Sequence, residues 1–329
     1  MTSSSGNRYY AAACQTDFPA VETREGIAAN VKTMCGMIED TIAGYEPFHD
    51  VRLFVFPEFS HSPPIYKTVT ELKQNLSVPI PNEHTDAYCK IAKQYGCYIQ
   101  TGTFIESHPD YPDHLFNTTV LIGPTGILSI YRKANPWIPW EVHSSPHDII
   151  DFPDDIFPVV DTELGKLGVA ICYDWMFPEV LRQLRFNGAE VLIRVSAYMD
   201  PWGTAEPMDW WTLINRTRAL ENSCYVVAAN QAASYQNYPP FSWPGGSMLV
   251  DFDGRILSQA ESGGGNKIVV APIDIGTLRY ERERRQGHDM FNHTRTELYN
   301  YLDDTQFASS KNDPQSIQKL NQRIKHAKK

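Results

Sequence analysis

Gly168-Val169-Ala170-Ile171-Cys172-Tyr173-Asp174 is an apolar run that ends on a thiol and passes at once into polar and aromatic residues, with Trp175 and Pro178 just beyond. A short apolar segment bounded in this way reads as a buried strand leaving its sheet by a sharp turn into a helix. Cys172 therefore stands at a strand-to-helix exit, where backbone N–H groups and the positive end of the helix favour a thiolate and an adjacent oxyanion. Free cysteine is also among the most buried residue types, so position alone leaves a packing role open.

Outward from this strand the chain alternates strand and helix. Upstream, Tyr9 to Gln15 reads as a strand, Ile27 to Thr41 as a helix with Ile27, Val31, Met34 and Ile38 on one side, and Val51 to Phe56 as a strand ending at Pro57-Glu58. A loop rich in Pro and Ser leads to a helix over Glu83 to Tyr95, closed by Gly96, and to a strand over Cys97 to Ile105. Leu115 to Ile122 and Ile127 to Tyr131 flank Gly123-Pro124-Thr125-Gly126 as a hairpin whose exit carries Arg132-Lys133. Downstream come helix Glu179 to Phe186, strand Glu190 to Ser196, helix Met208 to Asn222, strand Tyr225 to Asn230, a second hairpin around Asp251 to Gly254, and strand Lys267 to Ile273. The order of elements predicts an α/β fold with two mixed sheets facing each other and helices outside. From residue 280 the chain turns polar, with Glu281-Arg282-Glu283-Arg284-Arg285 first and a basic end over 325–329; such a segment orders only by docking, on a neighbouring subunit for instance, or stays partly disordered.

The bulk numbers bound the function. A chain of 329 residues, 42% of them hydrophobic, buries a large core. No apolar stretch approaches the ~20 residues of a membrane span, and the first residues lack a signal-peptide core, so a cytoplasmic protein without membrane partners is expected. A formal charge of −10 argues against nucleic-acid binding. Six cysteines, at 14, 35, 89, 97, 172 and 224, form no CxxC pair, so no disulfide framework and no metal site is expected, and all but Cys172 read as buried packing residues.

Three charged residues stand out beside Cys172. Glu58 follows an apolar strand and sits between Pro57 and Phe59, where desolvation raises a carboxyl pKa and suits it to proton transfer. Lys133 ends a strand and precedes Pro136, Trp137, Pro139 and Trp140, which fix its ammonium among rings and turns; a fixed cation lowers a thiol pKa and stabilises an oxyanion. Glu141 is a second carboxylate in the same loop.

Phe56-Pro57-Glu58, Tyr131-Arg132-Lys133 and Gly168 to Asp174 with Phe177-Pro178-Glu179 together resemble the carbon–nitrogen hydrolase (nitrilase) superfamily. Phe116-Asn117-Thr118-Thr119, Arg218 to Asn222 and Gly246 to Val250 support the match, which spans about residues 8 to 275. The resemblance implies a four-layer α-β-β-α sandwich, with a catalytic domain over 1–280 and the tail over 281–329. It implies Cys172 as nucleophile, Glu58 as general base, Lys133 as the group that orients the carboxylates and stabilises the tetrahedral intermediate, and Glu141 as the second glutamate. The Tyr173 backbone N–H would complete the oxyanion hole. No cofactor is implied, and the family's habit of extending its sandwich across an interface implies a homodimer or higher homo-oligomer.

Tyr131 through Glu141 looks most like the aliphatic amidase and formamidase branch, whereas Cys172 to Pro178 is closer in its aromatic pattern to the carbamoyl-amine amidases. The favoured function is hydrolysis of a small uncharged carboxamide to acid and ammonia through a Cys thioester. The alternatives are an N-carbamoyl or ureido amidase, a nitrilase, and an inactive scaffold. Trp137, Trp140, Trp175, Tyr198 and Trp202 read as lining for a small or aromatic acyl group. Trp210 and Trp211 read as packing residues, His61, His143 and His147 as pocket lining, and Glu221 and Asn222 as groups satisfying a helix end.

Overall fold

The computed structural model describes residues 8–64, 66–137, 141–149, 152–199, 209–233, 243–285 and 287–299. One sheet runs β13-β1-β2-β3-β5-β4, from β1 (Arg8–Gln15), β2 (Val51–Val55), β3 (Tyr98–Gln100), β4 (Phe104–Ser107), β5 (Leu115–Gly123) and β13 (Lys267–Asp274), with β6 (Gly126–Arg132) on the free side of β5. The second runs β12-β11-β10-β9-β8-β7, from β7 (Val159–Thr162), β8 (Gly165–Ile171), β9 (Val191–Ser196), β10 (Tyr225–Asn230), β11 (Met248–Val250) and β12 (Ile256–Gln259). Both mix parallel and antiparallel pairs.

The period of two along the strands builds the layers. Ala11, Leu53, Val55, Val169, Ile171, Ile193, Val195 and Val227 share one core between the sheets. Their neighbours Ala12, Phe54 and Ile99 face the other way, onto Val31, Met34 and Ile38 of α1 (Arg24–Tyr45) and Tyr88 and Ala92 of α3 (Glu83–Tyr95). Ala170, Leu192, Val226 and Ala228 do the same on the far side, against Leu181 and Leu184 of α4 (Pro178–Phe186) and Ala219 of α5 (Trp210–Asn222). The result is the expected α-β-β-α sandwich. Helix α3 has the expected limits because Asn82 caps its first N–H groups and Gly96 ends it at φ +62°.

Three elements differ from expectation. The stretch 97–105 is two strands, broken at Thr101-Gly102-Thr103, where a side chain on Gly102 would run into Ser60 and the Pro57 carbonyl; the bare backbone lets the end of β2 pass close by. The loop after Pro57 contains a helix, α2 (Val69–Leu76), which only Thr68 announces by accepting from Glu71 N–H. α5 begins at Trp210, and Met208 lies outside the described residues.

The start of the polar tail belongs to α6 (Ile275–Arg284). Arg282 donates to the Ser223 carbonyl, Arg285 pairs with Asp253, and Phe291 packs on Phe186 with the Arg185 guanidinium over its ring, so this part lies against the chain's own second sheet and α4. Residues 300–329 lie outside the described residues. Among the described residues no helix is long and apolar enough to cross a membrane.

Candidate active site

Four strand ends meet at one edge of the sandwich. β2 delivers Glu58, after which Phe59 turns at φ +59° with its N–H on Thr103 Oγ1. β6 delivers Arg132 and Lys133 to opposite faces: Arg132 pairs with buried Glu106, while Lys133 turns inward. β8 delivers Cys172, which sits at φ +45° at the head of a 3-10 turn, Cys172–Met176, and not on the strand itself. β9, paired with β8 so that Val195 lies opposite Ile171, carries Ala197 just past its end. A left-handed conformation at a non-glycine residue costs on the order of 1–3 kcal/mol and persists only where the surroundings impose it.

Asp174 does much of the imposing at Cys172. Its Oδ2 accepts from the Ile171 N–H at 2.9 Å and the Tyr131 hydroxyl at 2.7 Å; its Oδ1 accepts from the Asn135 backbone at 2.8 Å. One carboxyl group thus ties the cysteine turn to the segment that carries Lys133. Burial raises its pKa, against the pull of Lys133 and its hydrogen bonds.

Lys133 and Glu58 are each only 1% exposed. Lys133 Nζ donates to Glu58 Oε1 at 2.8 Å and, more closely still, to Glu141 Oε1. Asn117 on β5 spans the two acids, its Nδ2 donating to Glu58 Oε1 at 2.8 Å and Glu141 Oε2 at 3.1 Å. Glu58 Oε2 accepts from the Ala197 N–H at 2.9 Å, and Glu141 accepts from the Trp137 N–H and contacts His143 Nδ1. Burial alone would lower the lysine pKa, but Glu141 and Glu58 outweigh it and hold the ammonium well above its usual value. Burial would raise Glu141, yet Lys133 and His143 hold it well below the usual carboxylate range. Lys133 is charged and Glu141 ionised at neutral pH.

Glu58, Glu141 and Cys172 lie on the wall of one cavity of about 500 Å³. The expectation of a thiolate is corrected here. Burial and then the charge of Glu58 push the Cys172 thiol up to about 12, more than Lys133 pulls it down. In the free protein the group is a thiol.

A family model described as carbon-nitrogen hydrolase matches residues 10–282. The chain belongs to the carbon–nitrogen hydrolase family. Proteins named formamidase from Helicobacter acinonychis (strain Sheeba) and Bacillus cereus (strain Q1) are each 34% identical to it, over 76% of this chain and 70% of theirs. Saccharomyces cerevisiae Nit3, of the nitrilase superfamily, superposes with a TM-score of 0.69 over 85% of this chain and 95% of its own at 24% identity, and shows the same fold. The Caenorhabditis elegans NitFhit protein gives 0.67 over 89% and 66% at 27% identity. This carbon–nitrogen hydrolase is an amidase, a hydrolase of C–N bonds.

The aromatic residues divide differently from the sequence reading. Trp137, Tyr173 and Tyr198 line the cavity of this carbon–nitrogen hydrolase. Trp175 does not: it is fully buried behind the cysteine turn, with Nε1 donating to the Ala170 carbonyl, because the 3-10 turn aims it into the core under α4. Trp210, expected to be packing only, lines the cavity, while its neighbour Trp211 packs inward and donates to the Gly246 carbonyl. His143 is buried behind Glu141; His61 is sandwiched on Phe104 with Nε2 on the Tyr88 hydroxyl, and His147 is half exposed beside Asp148, so none of the three is wall. Cys35 and Cys89 are half-buried, and Trp140 and Trp202 lie outside the described residues. Asn222 satisfies its helix end by donating to the Arg218 carbonyl, and Glu221 pairs with Arg218.

Asn117 had no assigned role in the sequence, though a carboxamide in a strand, where Asn is depleted, is a signal in itself. Arg194 was also missed. It is fully buried on β9, with its guanidinium 4.3 Å from the Trp211 ring and, among the described residues, one hydrogen bond, to Asn215 Oδ1, and none at Nε or Nη2. Burial pulls it down to about 10, against the attraction of Cys172.

Proposed function

We propose that the protein hydrolyses an uncharged carboxamide to the acid and ammonia through a thioester on Cys172. The observation that carries this reading is the buried Glu58–Lys133–Glu141 network, pinned by Asn117, in the wall of the cavity that Cys172 also lines.

Because the resting sulfur is protonated, attack and proton transfer belong together. Among the described residues Glu58 Oε2 has one partner, the Ala197 N–H, and so retains acceptor capacity for the thiol proton. As sulfur bonds to the carbonyl carbon, the oxygen becomes anionic. Lys133 has three N–H donors, two of them engaged by the glutamates, and the third serves the oxyanion together with the Tyr173 N–H at the head of the 3-10 turn. Glu58 returns the proton to nitrogen, ammonia leaves, and the thioester remains. Glu58 then takes a proton from water, hydroxide adds to the thioester, and collapse releases the acid and restores the thiol. Glu141 stays ionised and keeps Lys133 charged and aimed.

Ammonia release should be measured across formamide, longer aliphatic amides, aryl amides, nitriles and carbamoyl compounds, with Cys172→Ala as blank. Amide turnover that Cys172→Ala abolishes supports the reading. Carbon dioxide released with the ammonia would place the substrate among carbamoyl compounds, and equal turnover by Cys172→Ala would overturn the role of the cysteine.

A further inference from the structure

We propose that the substrate's acyl group is bulky and apolar, an aryl or medium-chain alkyl amide, in place of formyl. This rests on the amidase reading above and adds the substrate class. A one-carbon amide has three heavy atoms and fills on the order of 100 Å³, scaling from the ~30 Å³ of a water. The cavity holds about 500 Å³, within the range of roughly 300–1,000 Å³ that accommodates drug-sized ligands.

Its wall is apolar. Phe18 and Trp243 stack with ring centroids 4.0 Å apart and pack with Phe59, Ala197 and Met199 in a cluster separate from the three sandwich cores. All five of these residues line the cavity. Rings that hold no sheet together but face a nucleophile form an acyl-binding surface. The charge pattern agrees. Among the described lining residues the only charged side chains are Glu58 and Glu141, both bonded to Lys133; no arginine or lysine is among them, and Lys133 behind them is committed to the glutamates and the oxyanion, with no N–H left to grip a substrate carboxylate. An acidic substituent would meet the two glutamates without a cation of its own. The relatives named formamidase are 34% identical to this chain over 70% of their length, and it is the cavity that argues for a larger acyl group.

Each methylene that such a wall removes from water adds about fourfold to kcat/KM when the contact is kept in the transition state. The test is kcat/KM for formamide, acetamide, butyramide, hexanamide and phenylacetamide with the full chain. The expected result is a rise along the series, at least about 100-fold from formamide to hexanamide or phenylacetamide. Met199→Trp, which fills the wall, is expected to lower the phenylacetamide-to-formamide ratio of kcat/KM at least tenfold. Values that fall steadily from formamide onward overturn this inference and leave the amidase reading standing. Ammonia from none of the five removes both.

Discussion

The Ala197 N–H donates to Glu58 Oε2 at 2.9 Å, a bond from one sheet to the other between residues 139 apart in sequence. It fixes one carboxylate oxygen of the proposed base against the strand end beside Cys172. Glu58→Gln keeps an acceptor for that N–H but cannot carry a proton between sulfur, nitrogen and water. Its kcat should fall about 100- to 10,000-fold, with an unchanged far-UV circular dichroism spectrum. A fall of less than tenfold would take the proton shuttle away from Glu58.

Lys133→Ala leaves Glu58 and Glu141 facing each other in the interior without their cation. Removing one member of a buried ion network costs about 3–5 kcal/mol. The sign of the pH dependence follows. With Lys133 present, Glu141 sits well below its ordinary 4.5, so its contribution is full above that value and is lost as pH falls toward the depressed one. Without Lys133, Glu141 loses the cation that holds it down and burial raises it instead, so the native variant takes up a proton that the unfolded chain does not hold. Urea denaturation at pH 7 and pH 5 should therefore show a deficit relative to wild type that shrinks at the lower pH. An equal deficit at both would contradict the arrangement.

Burial and then the charge of Glu58 push the Cys172 thiol up to about 12. Its alkylation by iodoacetamide should keep climbing with pH and show no plateau near about 8.5, where an ordinary thiol is half ionised. Peptide mapping separates it from the other five cysteines. A plateau near neutral pH would restore the resting thiolate that the strand-to-helix position suggests.

Arg194 carries a buried charge that, among the described residues, has one hydrogen bond and two nitrogens without one. Its field favours the ionised form of Cys172. Arg194→Met removes an expensive burial, so stability should stay level or rise, by up to about 4 kcal/mol. Alkylation of Cys172 at fixed pH should slow at the same time. A large loss of stability with unchanged alkylation would make Arg194 a packing residue only.

The sandwich was legible because its strands and helices keep clean periods: Leu53, Val55, Val169 and Ile171 fall on one face and Phe54 and Ala170 on the other. Cys172, Glu58 and Lys133 were legible because each stands at the end of an apolar strand. What escaped notice depends on neighbours distant in sequence. Asn117 gains its role from Glu58 and Glu141, 59 and 24 residues away. Trp175 and Trp210 exchange roles because side-chain direction within a 3-10 turn or at the start of a helix is set by tertiary packing and not by proximity to Cys172. The protonation of Cys172 balances burial and Glu58 against Lys133, and composition carries no measure of that balance.

The proposed thioester on Cys172 is tested most directly by mass spectrometry of the protein quenched in acid during turnover of an amide it hydrolyses. The expected result is a species heavier by the acyl group, mapped to the peptide containing Cys172 and lost on treatment with hydroxylamine. Full turnover by the Cys172→Ala variant, or an acyl group mapped to any other residue, would contradict it.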